Sequence, residues 1–290
     1  MEINAYAKIN IGLDVVRRRP DGYHEVRMIM QQIGLHDVLS VNREDAPGIR
    51  ISTDRSDLSV GEDNLIYKAA KLMMDEYGLS GGISVSLKKN IPVAAGLAGG
   101  STDAAATIMA VNELYSLGLS REDLMKLGVR IGADVPFCIM GGCAVAEGIG
   151  EILTPIESKV NFKVLLAKPS ESVSTKYVYE HLDLEHMIHP DIDAVADGLK
   201  SGDTEKIIRN MGNVMETVTA SMVPAIGNIE RVMTDCPGII RAMMSGSGPT
   251  VFGLLADEGN EEEAKAACDS IRQSGYADEL YITDFHYPGI

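Results

Sequence analysis

Hydrophobic and polar residues alternate at the start of the chain. Ile3, Ala5, Ala7, Ile9 and Ile11 occupy the odd positions, and polar side chains lie between them. A period of two is typical of a strand with one face in a core. Similar runs predict further strands at 26–35, 38–41, 49–53 and 83–87.

Helical spacing of apolar residues separates these strands. Over 64–77 the apolar residues fall on one helical face, and Gly78 follows as a helix terminator. Two more helices are predicted, from Ser101 until Gly118 and from Ser120 until Gly132.

The pattern changes after residue 155. The predicted elements are a strand at 162–167, helices between 174 and 235, strands at 239–244 and 251–255, a helix at 260–274 and a strand at 280–285. That order is typical of a split βαβ, ferredoxin-like domain. We therefore expect two domains, 1–158 and 159–290, with the boundary near 155–161.

Charge and hydropathy exclude several classes of protein. The 290 residues include 26 Lys and Arg against 42 Asp and Glu, a net charge of −16. Nucleic-acid binding and docking on anionic lipid both need a cationic surface, so neither is expected. The sequence has no apolar run of transmembrane length, and its start does not resemble a secretion signal, so the predicted location is the cytoplasm.

Four cysteines are present, and none forms a C-x-x-C pair. Zinc would need closer thiolate pairs or a histidine-rich partner segment. The cysteines therefore predict buried, reduced thiols rather than a metal site.

A glycine-rich loop leads into the helix that begins at Ser101. Gly96, Gly99 and Gly100 let backbone N–H groups approach a ligand closely, and a helix N-terminus attracts anions, phosphate above all. Neither G-x-x-x-x-G-K-[ST] nor G-x-G-x-x-G is present, which excludes the two common nucleotide fingerprints. A plain strand-to-helix connection built from small residues explains the loop equally well.

Two charged residues have apolar or constrained neighbours. Asp134 lies in Gly132-Ala-Asp-Val-Pro-Phe137, a predicted loop held by its proline. A carboxylate partly withdrawn from water there suits a general base, although a turn or N-cap aspartate is more common. Lys8 and Asn10 leave the polar face of the first strand. Inside a domain they would need partners, although a solvated edge strand is more common.

Two turns complete the candidate chemistry. Met-Ser-Gly-Ser-Gly-Pro-Thr-Val, 244–251, is a second glycine-rich turn between predicted strands. Pro-Asp-Gly is a turn signal that presents Tyr23 beside His24. An aromatic ring next to an imidazole could stack on a planar base and read its edge, and a hairpin with a surface tyrosine is the simpler alternative.

Three of these segments, taken in order, resemble the three motifs of the GHMP kinases. They are Lys8-Ile-Asn10, Pro92-Val-Ala-Ala-Gly-Leu-Ala-Gly-Gly-Ser-Thr102 and Ser245-Gly-Ser-Gly-Pro249. The resemblance runs from about residue 7 to 255. It implies an α+β fold, with an N-terminal domain like domain 2 of ribosomal protein S5 and a ferredoxin-like C-terminal domain. It also implies ATP-dependent phosphorylation of an alcohol.

Other segments narrow the resemblance. Arg19-Pro-Asp-Gly-Tyr-His24 and Gly132-Ala-Asp-Val-Pro-Phe137 are most similar to family members that phosphorylate the 2-hydroxyl of a cytidine-linked sugar-alcohol diphosphate in non-mevalonate isoprenoid biosynthesis. Another substrate of the family (mevalonate, homoserine or a sugar), a non-catalytic ATP-binding regulator and an RNA-binding protein are the alternatives. A homodimer is compatible with the resemblance.

The resemblance also implies residue roles. Asp134 is expected to take the substrate proton beside Lys8. The expected ATP-binding residues are Asn64, Pro92, Val93, Ala94, Ala95, Gly96, Leu97, Ala98, Gly99, Gly100, Ser101 and Thr102. The expected substrate-binding residues are Asn10, Tyr23, His24, Thr175, Tyr179, Gly246 and Ser247.

The expected cofactor is Mg²⁺. No carboxylate pair stands out as its ligand, so phosphates, water and Ser101 are expected to hold it. The sequence departs from the family at Ala94, Ala95 and Ala98, where many members carry glycine. Alanine resists positive φ, which predicts a stiffer loop that still binds phosphate through its glycines.

Overall fold

Two long strands, β1 (Glu2–Arg18) and β2 (His24–Glu44), open the chain. The structure, a computed structural model, describes residues 1–255 and 261–288. It divides the chain into two units, 1–7 with 35–93 and 98–141, and 8–34 with 94–97 and 142–290. Both long strands contribute residues to both units. The strands predicted at 26–35 and 38–41 are one continuous strand, β2.

The first unit combines strands with four helices. Its elements are β3 (Gly48–Thr53), α1 (Leu65–Tyr77), β4 (Gly82–Lys88), α2 (Gly99–Leu114), α3 (Arg121–Val129) and α4 (Val135–Met140). The end of β2 pairs antiparallel with β4, and β3 pairs parallel with β4. Parallel neighbours need a crossover, which α1 supplies. As the sequence predicts, α1 ends at Gly78, whose φ is 58°.

Helix α2 lies at the centre of this unit. It packs against both α1 and α4. Its buried face is built largely from the small residues Ala104, Ala105, Ala106 and Ala110, which bring neighbouring elements close to its backbone.

Helix α4 is a difference from the sequence-based expectation. Residues 132–137 were expected to form a loop held by Pro136, but a short helix begins at Val135. Pro136 occupies the first turn, where its missing N–H would have no intrahelical acceptor in any case. The proline therefore starts a helix here instead of interrupting one.

The second unit contains the remaining elements. They are β5 (Cys143–Glu147), β6 (Ile152–Pro155), β7 (Lys163–Lys168), α5 (Thr175–Glu180), α6 (Ile192–Ser201), α7 (Thr204–Asn210), α8 (Glu216–Met222), α9 (Ala225–Thr234), β8 (Ile239–Met244), β9 (Val251–Leu255), α10 (Glu261–Gln273) and β10 (Glu279–Asp284). The helix predicted at 260–274 is α10, and Asn260 lies outside the described residues. Strands β5 and β6 were not predicted.

The sheet at the end of the chain has the predicted type. Its four strands are ordered β10-β7-β9-β8, and all neighbours are antiparallel. Phe162 and Phe285 pack edge to face beside it, with ring centroids 5.5 Å apart. The helix-covered antiparallel sheet agrees with the expected ferredoxin-like half, and the fold class is α+β.

The cysteines are free thiols. Cys138, Cys143 and Cys268 are buried, and burial raises the pKa of Cys143 and Cys268. Cys236 is only partly buried, so the prediction of burial was wrong for this residue. Separately, no helix within the described ranges has both the length and the apolar character needed to cross a membrane.

Candidate functional site

The three sequence motifs meet at the carbonyl oxygen of Gly96. Lys8 Nζ donates a hydrogen bond to this oxygen at 3.1 Å, and Ser245 Oγ donates to it at 3.1 Å. Lys8 Nζ also donates to Asn10 Oδ1 at 2.7 Å, and the Asn10 backbone N–H donates to Ser245 Oγ at 3.3 Å. Residues far apart in sequence thus form one hydrogen-bonded cluster within the second unit.

Both faces of β1 are buried at this cluster. Lys8 is 5% exposed and Asn10 is fully buried. The interpretation of β1 as a solvated edge strand is therefore wrong. The expectation that Lys8 and Asn10 need partners inside the domain holds, because both side chains form hydrogen bonds that compensate their burial.

Two glycines allow the motifs to approach this closely. A Cβ on Gly96 would collide with the carbonyl oxygen of Ser245, and a Cβ on Gly246 would lie 3.0 Å from the carbonyl oxygen of Gly96. Both residues also have positive φ, 74° and 59°. Glycine is required here for space as well as for backbone conformation.

Sequence reasoning assigned no role to three residues in or beside the second glycine-rich turn. Asn213 Nδ2 donates to the carbonyl oxygens of Met244 and Gly246 at 2.9 and 2.8 Å. Thr219 Oγ1 donates to the carbonyl oxygen of Ser247 at 3.1 Å. The third is Ser245. Ser245 could have been found from the sequence, because it is the first residue of the motif Ser245-Gly-Ser-Gly-Pro249. An asparagine or threonine in a region predicted to be helical gives no such signal.

Helix α5 presents two predicted substrate residues on one face. Thr175 and Tyr179 are four residues apart, so they lie one turn from each other. The hydroxyls of Thr175 and Ser247 are 2.7 Å apart. The ring of Tyr179 stacks on His24 with centroids 4.9 Å apart and an interplanar angle of 16°.

His24 has the electrostatic environment of a neutral imidazole. Burial lowers its pKa, and the nearby charge of Arg18 lowers it further. A neutral imidazole carries one donor and one acceptor nitrogen, so it can read both kinds of group on a base edge. Tyr23, next in the chain, is 59% exposed.

In the first unit, α2 begins without a side-chain cap. The N-cap residue is Ala98, whose φ of 59° is left-handed, and its carbonyl oxygen accepts from Thr102 N at 2.9 Å. An alanine side chain cannot accept hydrogen bonds from the first N–H groups of the helix, which leaves these groups suited to bind an anion. Thr102 itself is buried, and its hydroxyl donates to the carbonyl oxygen of Tyr6 at 2.7 Å.

Asn64 caps α1. Its Oδ1 accepts from Ile66 N at 2.8 Å and its Nδ2 donates to the carbonyl oxygen of Ser59 at 2.6 Å. The side chain of Leu65, the next residue, would lie 3.4 Å from a Cβ on Gly100. The cap therefore lies near the start of α2, within the same unit.

Asp134 is the N-cap residue of α4. Its carbonyl oxygen accepts from Cys138 N at 3.1 Å, and the residue is half-buried. Its carboxylate accepts no capping hydrogen bond from the helix. The backbone position fits the helix-start interpretation of this aspartate, while the side chain does not serve as the cap.

The predicted site residues are divided between the two units. The first contains Asn64, Pro92, Val93, Ala98, Gly99, Gly100, Ser101, Thr102 and Asp134. The second contains Lys8, Asn10, Tyr23, His24, Ala94, Ala95, Gly96, Leu97, Thr175, Tyr179, Gly246 and Ser247. Within the second unit, contacts join Lys8, Asn10, Gly96 and Gly246, and separately His24 with Tyr179 and Thr175 with Ser247. The roles of all these residues stay predictions.

The fold and these motifs define a class of small-molecule kinases. The model of the GHMP kinase N-terminal domain matches residues 64–142, and that of the GHMP kinase C-terminal domain matches 195–273. The chain belongs to the GHMP kinases, which confirms the family expected from its motifs.

Individual relatives of the chain carry names that specify a substrate. The 4-diphosphocytidyl-2-C-methyl-D-erythritol kinase of Lachnospira eligens is 49% identical over 290 residues, which cover 99% of both chains. A crystal structure of 4-(cytidine 5'-diphospho)-2C-methyl-D-erythritol kinase has a TM-score of 0.82 and 31% identity, over 99% of this chain and 100% of that one. Homoserine kinase from Cytophaga hutchinsonii has a TM-score of 0.79 at 20% identity, over 99% and 94%, and shares the fold.

Proposed function

We propose that this chain transfers the γ-phosphoryl group of ATP to the 2-hydroxyl of 4-diphosphocytidyl-2-C-methyl-D-erythritol. The observation that carries the proposal is the 49% identity to a kinase named for this substrate, over almost the whole of both chains. The stacked pair of His24 and Tyr179 supports the cytidine part of the substrate. Mevalonate, homoserine and sugar acceptors have no planar base to stack.

The glycine-rich loop and the start of α2 are the proposed site for the ATP phosphates. The helix has an N-cap alanine, and Gly99 and Gly100 follow it. Backbone N–H groups at a helix N-terminus, together with the helix dipole, favour a phosphate there. The cluster around the carbonyl oxygen of Gly96 fixes the middle of the loop through Lys8 and Ser245.

Cytosine recognition is assigned to Tyr23, His24 and Tyr179. A base stacked on an aromatic ring gains about 1–3 kcal/mol. The neutral imidazole of His24 can donate one hydrogen bond and accept another, which suits the mixed donor and acceptor edge of cytosine. Thr175, one turn before Tyr179, is assigned to the substrate together with its hydroxyl partner Ser247.

Asp134 is the proposed general base, and Lys8 is proposed to stabilise charge on the transferring group. Phosphoryl transfer depends chiefly on positioning and charge stabilisation. The half-buried carboxylate of Asp134 does not cap its own helix, which agrees with a chemical role. Replacing Asp134 by asparagine should slow turnover by about 10²–10⁴-fold.

Mg²⁺ is proposed to bind chiefly to the phosphates of ATP rather than to protein side chains. The described residues contain no group of three or more His, Cys, Asp or Glu that could hold a metal ion. The phosphate oxygens and the hydroxyl of Ser101, in the first turn of α2, would therefore hold it. When bound, the ion supplies positive charge that offsets the charge of the phosphate oxygens.

A coupled ATP-consumption assay with several acceptors tests the proposal. We expect turnover with the cytidine-linked methylerythritol diphosphate, and none above background with mevalonate, homoserine or a simple sugar. Turnover with one of these three instead would transfer the proposal to that substrate. ATP binding without turnover on any acceptor would favour a non-catalytic regulator.

Two tyrosines of α5 provide a matched pair for the cytosine assignment. Tyr179→Ala should raise the KM of the acceptor about tenfold or more, while the KM of ATP is unchanged. Tyr177→Ala is the control, because Tyr177 stacks on His181 rather than on His24. Equal effects of the two substitutions would contradict the assignment.

The cytoplasmic location and the homodimer stay predictions. Light scattering measures the oligomeric state.

A further inference from the structure

A buried ionic cluster joins the two flanks of the glycine-rich loop. Lys89 lies just before the loop, and Asp103 lies in the second turn of α2, just after it. Lys89 Nζ donates to Asp103 Oδ2 at 2.8 Å and also to Asp37 Oδ2. The side chains of Lys89, Asp37 and Asp103 are 3%, 0% and 5% exposed. All three belong to the first unit, and we call them the triad.

Asp37 also holds the backbone that enters the loop. Its Oδ1 accepts from the N–H of Asn90 at 2.6 Å and from the N–H of Ile91 at 2.8 Å. One carboxylate thus fixes two consecutive peptide groups and the ammonium of Lys89. The entry to the loop is tied through that ammonium to the helix at its exit.

The start of α2 rests directly on this ammonium. A Cβ on Gly99 would lie 3.0 Å from Lys89 Nζ, so the first helical residue packs against the triad. The residue before it, Ala98, has a φ of 59°. Left-handed backbone is unfavourable for alanine, and such a conformation persists only where its surroundings hold it.

Burying the triad costs desolvation free energy. Two carboxylates and one ammonium are removed from water, and Asp103 Oδ1 has no hydrogen-bond partner among the described residues. Burial raises the pKa of Asp103 to about 7, although Lys89 opposes the shift. Apolar side chains of similar volume are often at least as stabilising as a buried ion pair. Stability alone therefore does not account for these residues at this place.

We propose that Asp37, Lys89 and Asp103 are positioning residues for the nucleotide: by joining the two flanks of the loop they hold Ala98 left-handed and aim the first N–H groups of α2 at the ATP phosphates. In this proposal the three side chains act on the nucleotide through the loop backbone. The inference rests on the proposed use of ATP and adds the residues that shape its phosphate site.

The test compares Asp103→Asn with Asp123→Asn. Asparagine keeps the shape of Asp103 but weakens its bond to Lys89. Asp123 lies in the same unit, in the capping box of α3, so its replacement lowers stability without touching the triad. For Asp103→Asn we expect the KM of ATP, and the Kd of a non-hydrolysable ATP analogue, to rise about tenfold, with kcat and the acceptor KM within about threefold of wild type. Asp123→Asn should leave all four constants unchanged.

A second variant separates positioning from general loss of stability. Glycine adopts left-handed backbone freely, so adding Ala98→Gly to Asp103→Asn should restore much of the ATP affinity while urea unfolding still shows the lower stability. An ATP KM for Asp103→Asn equal to that of Asp123→Asn, or no recovery in the double variant, would overturn this inference alone. Absence of ATP binding by the wild-type chain would overturn the proposed function as well.

Discussion

Each unit places a pair of acidic side chains beside a glycine-rich segment, a buried pair in the first unit and a half-buried pair in the second. The two pairs are stabilised differently. In the first unit, the ammonium of Lys89 lies between Asp37 and Asp103. In the second, Glu216 and Glu230 face each other within hydrogen-bonding reach. An ammonium compensates the first pair, whereas a shared proton can compensate the second.

Glu216 of the second pair binds the backbone where the Ser-Gly-Ser-Gly turn begins. Glu216 Oε2 accepts from the N–H of Met244, where the turn begins, at 2.9 Å. Burial raises the pKa of Glu216, and burial together with the charge of Glu216 raises the pKa of Glu230 to about 8. Removing one charge should therefore have opposite effects on stability at the two places. Loss of the Lys89 ammonium should destabilise the first pair, whereas loss of one glutamate charge should relieve the repulsion within the second pair.

The largest effect is expected from Lys89→Met. This substitution leaves two carboxylates buried without their ammonium, which should lower the free energy of unfolding by about 3–5 kcal/mol. Urea denaturation measures it. Lys88→Met is the control, because Lys88, the last residue of β4, is the exposed neighbour of Lys89. Similar losses for the two variants would show that the ammonium of Lys89 is not what compensates this pair.

A double variant sharpens the same point. Adding Asp103→Asn to Lys89→Met removes one of the two stranded charges, so about 1–3 kcal/mol of the loss should return. The measurement is a double-mutant cycle of unfolding free energies. Additive losses would mean that Lys89 and Asp103 do not interact energetically.

At the glutamate pair the expected effect is smaller and depends on pH. The folded-state pKa of Glu230 lies above its ordinary 4.5, so the folded protein binds this proton more tightly than the unfolded chain does. Its contribution to stability is complete below about pH 4.5 and is lost as the pH rises through about 8. Glu230→Gln should match wild type at pH 5 and exceed it in stability at pH 9.

Thermal unfolding across this pH range measures the difference. Glu205→Gln, an exposed substitution on α7, is the control and should give no such pH dependence. A constant offset between Glu230→Gln and wild type at every pH would contradict the proton-sharing account.

The smallest expected effect concerns Arg241. Its charge lowers the pKa of both glutamates, but the residue is exposed and water screens the interaction. Arg241→Gln should therefore move the pH at which stability is lost slightly upward. A downward shift, read from the same thermal scans, would mean that this cation does not favour the ionised pair.

Much of the candidate site could be predicted from sequence because its chemistry is local to short motifs. Gly96 indicated that the loop backbone can approach a ligand closely, and the structure finds it where a Cβ would collide with the carbonyl oxygen of Ser245. Lys8 and Asn10 indicated that their polar side chains need partners inside the domain, and the bonds from Lys8 Nζ to Asn10 Oδ1 and to the carbonyl oxygen of Gly96 supply them. Periodicity placed most helices and strands for the same reason, since it reports which face of each segment is buried.

The remainder depends on which distant residues meet, and periodicity carries no information about that. Asp37 lies inside β2, Lys89 at the loop entry and Asp103 in α2. No local pattern pairs them. Asn213 holds the second glycine-rich turn across 31 residues. Helix α4 was missed because Pro136 was interpreted as holding a loop rather than as a first-turn residue.

Phosphorus NMR of the reaction product tests the central claim most directly. Wild-type protein with ATP, Mg²⁺ and the cytidine-linked methylerythritol diphosphate should produce one new phosphomonoester resonance, coupled to the carbon that carries the 2-hydroxyl, with the diphosphate resonances retained. Asp134→Asn should form it about 10²–10⁴-fold more slowly. Absence of a phosphomonoester, or its formation by Asp134→Asn at the wild-type rate, would contradict the account.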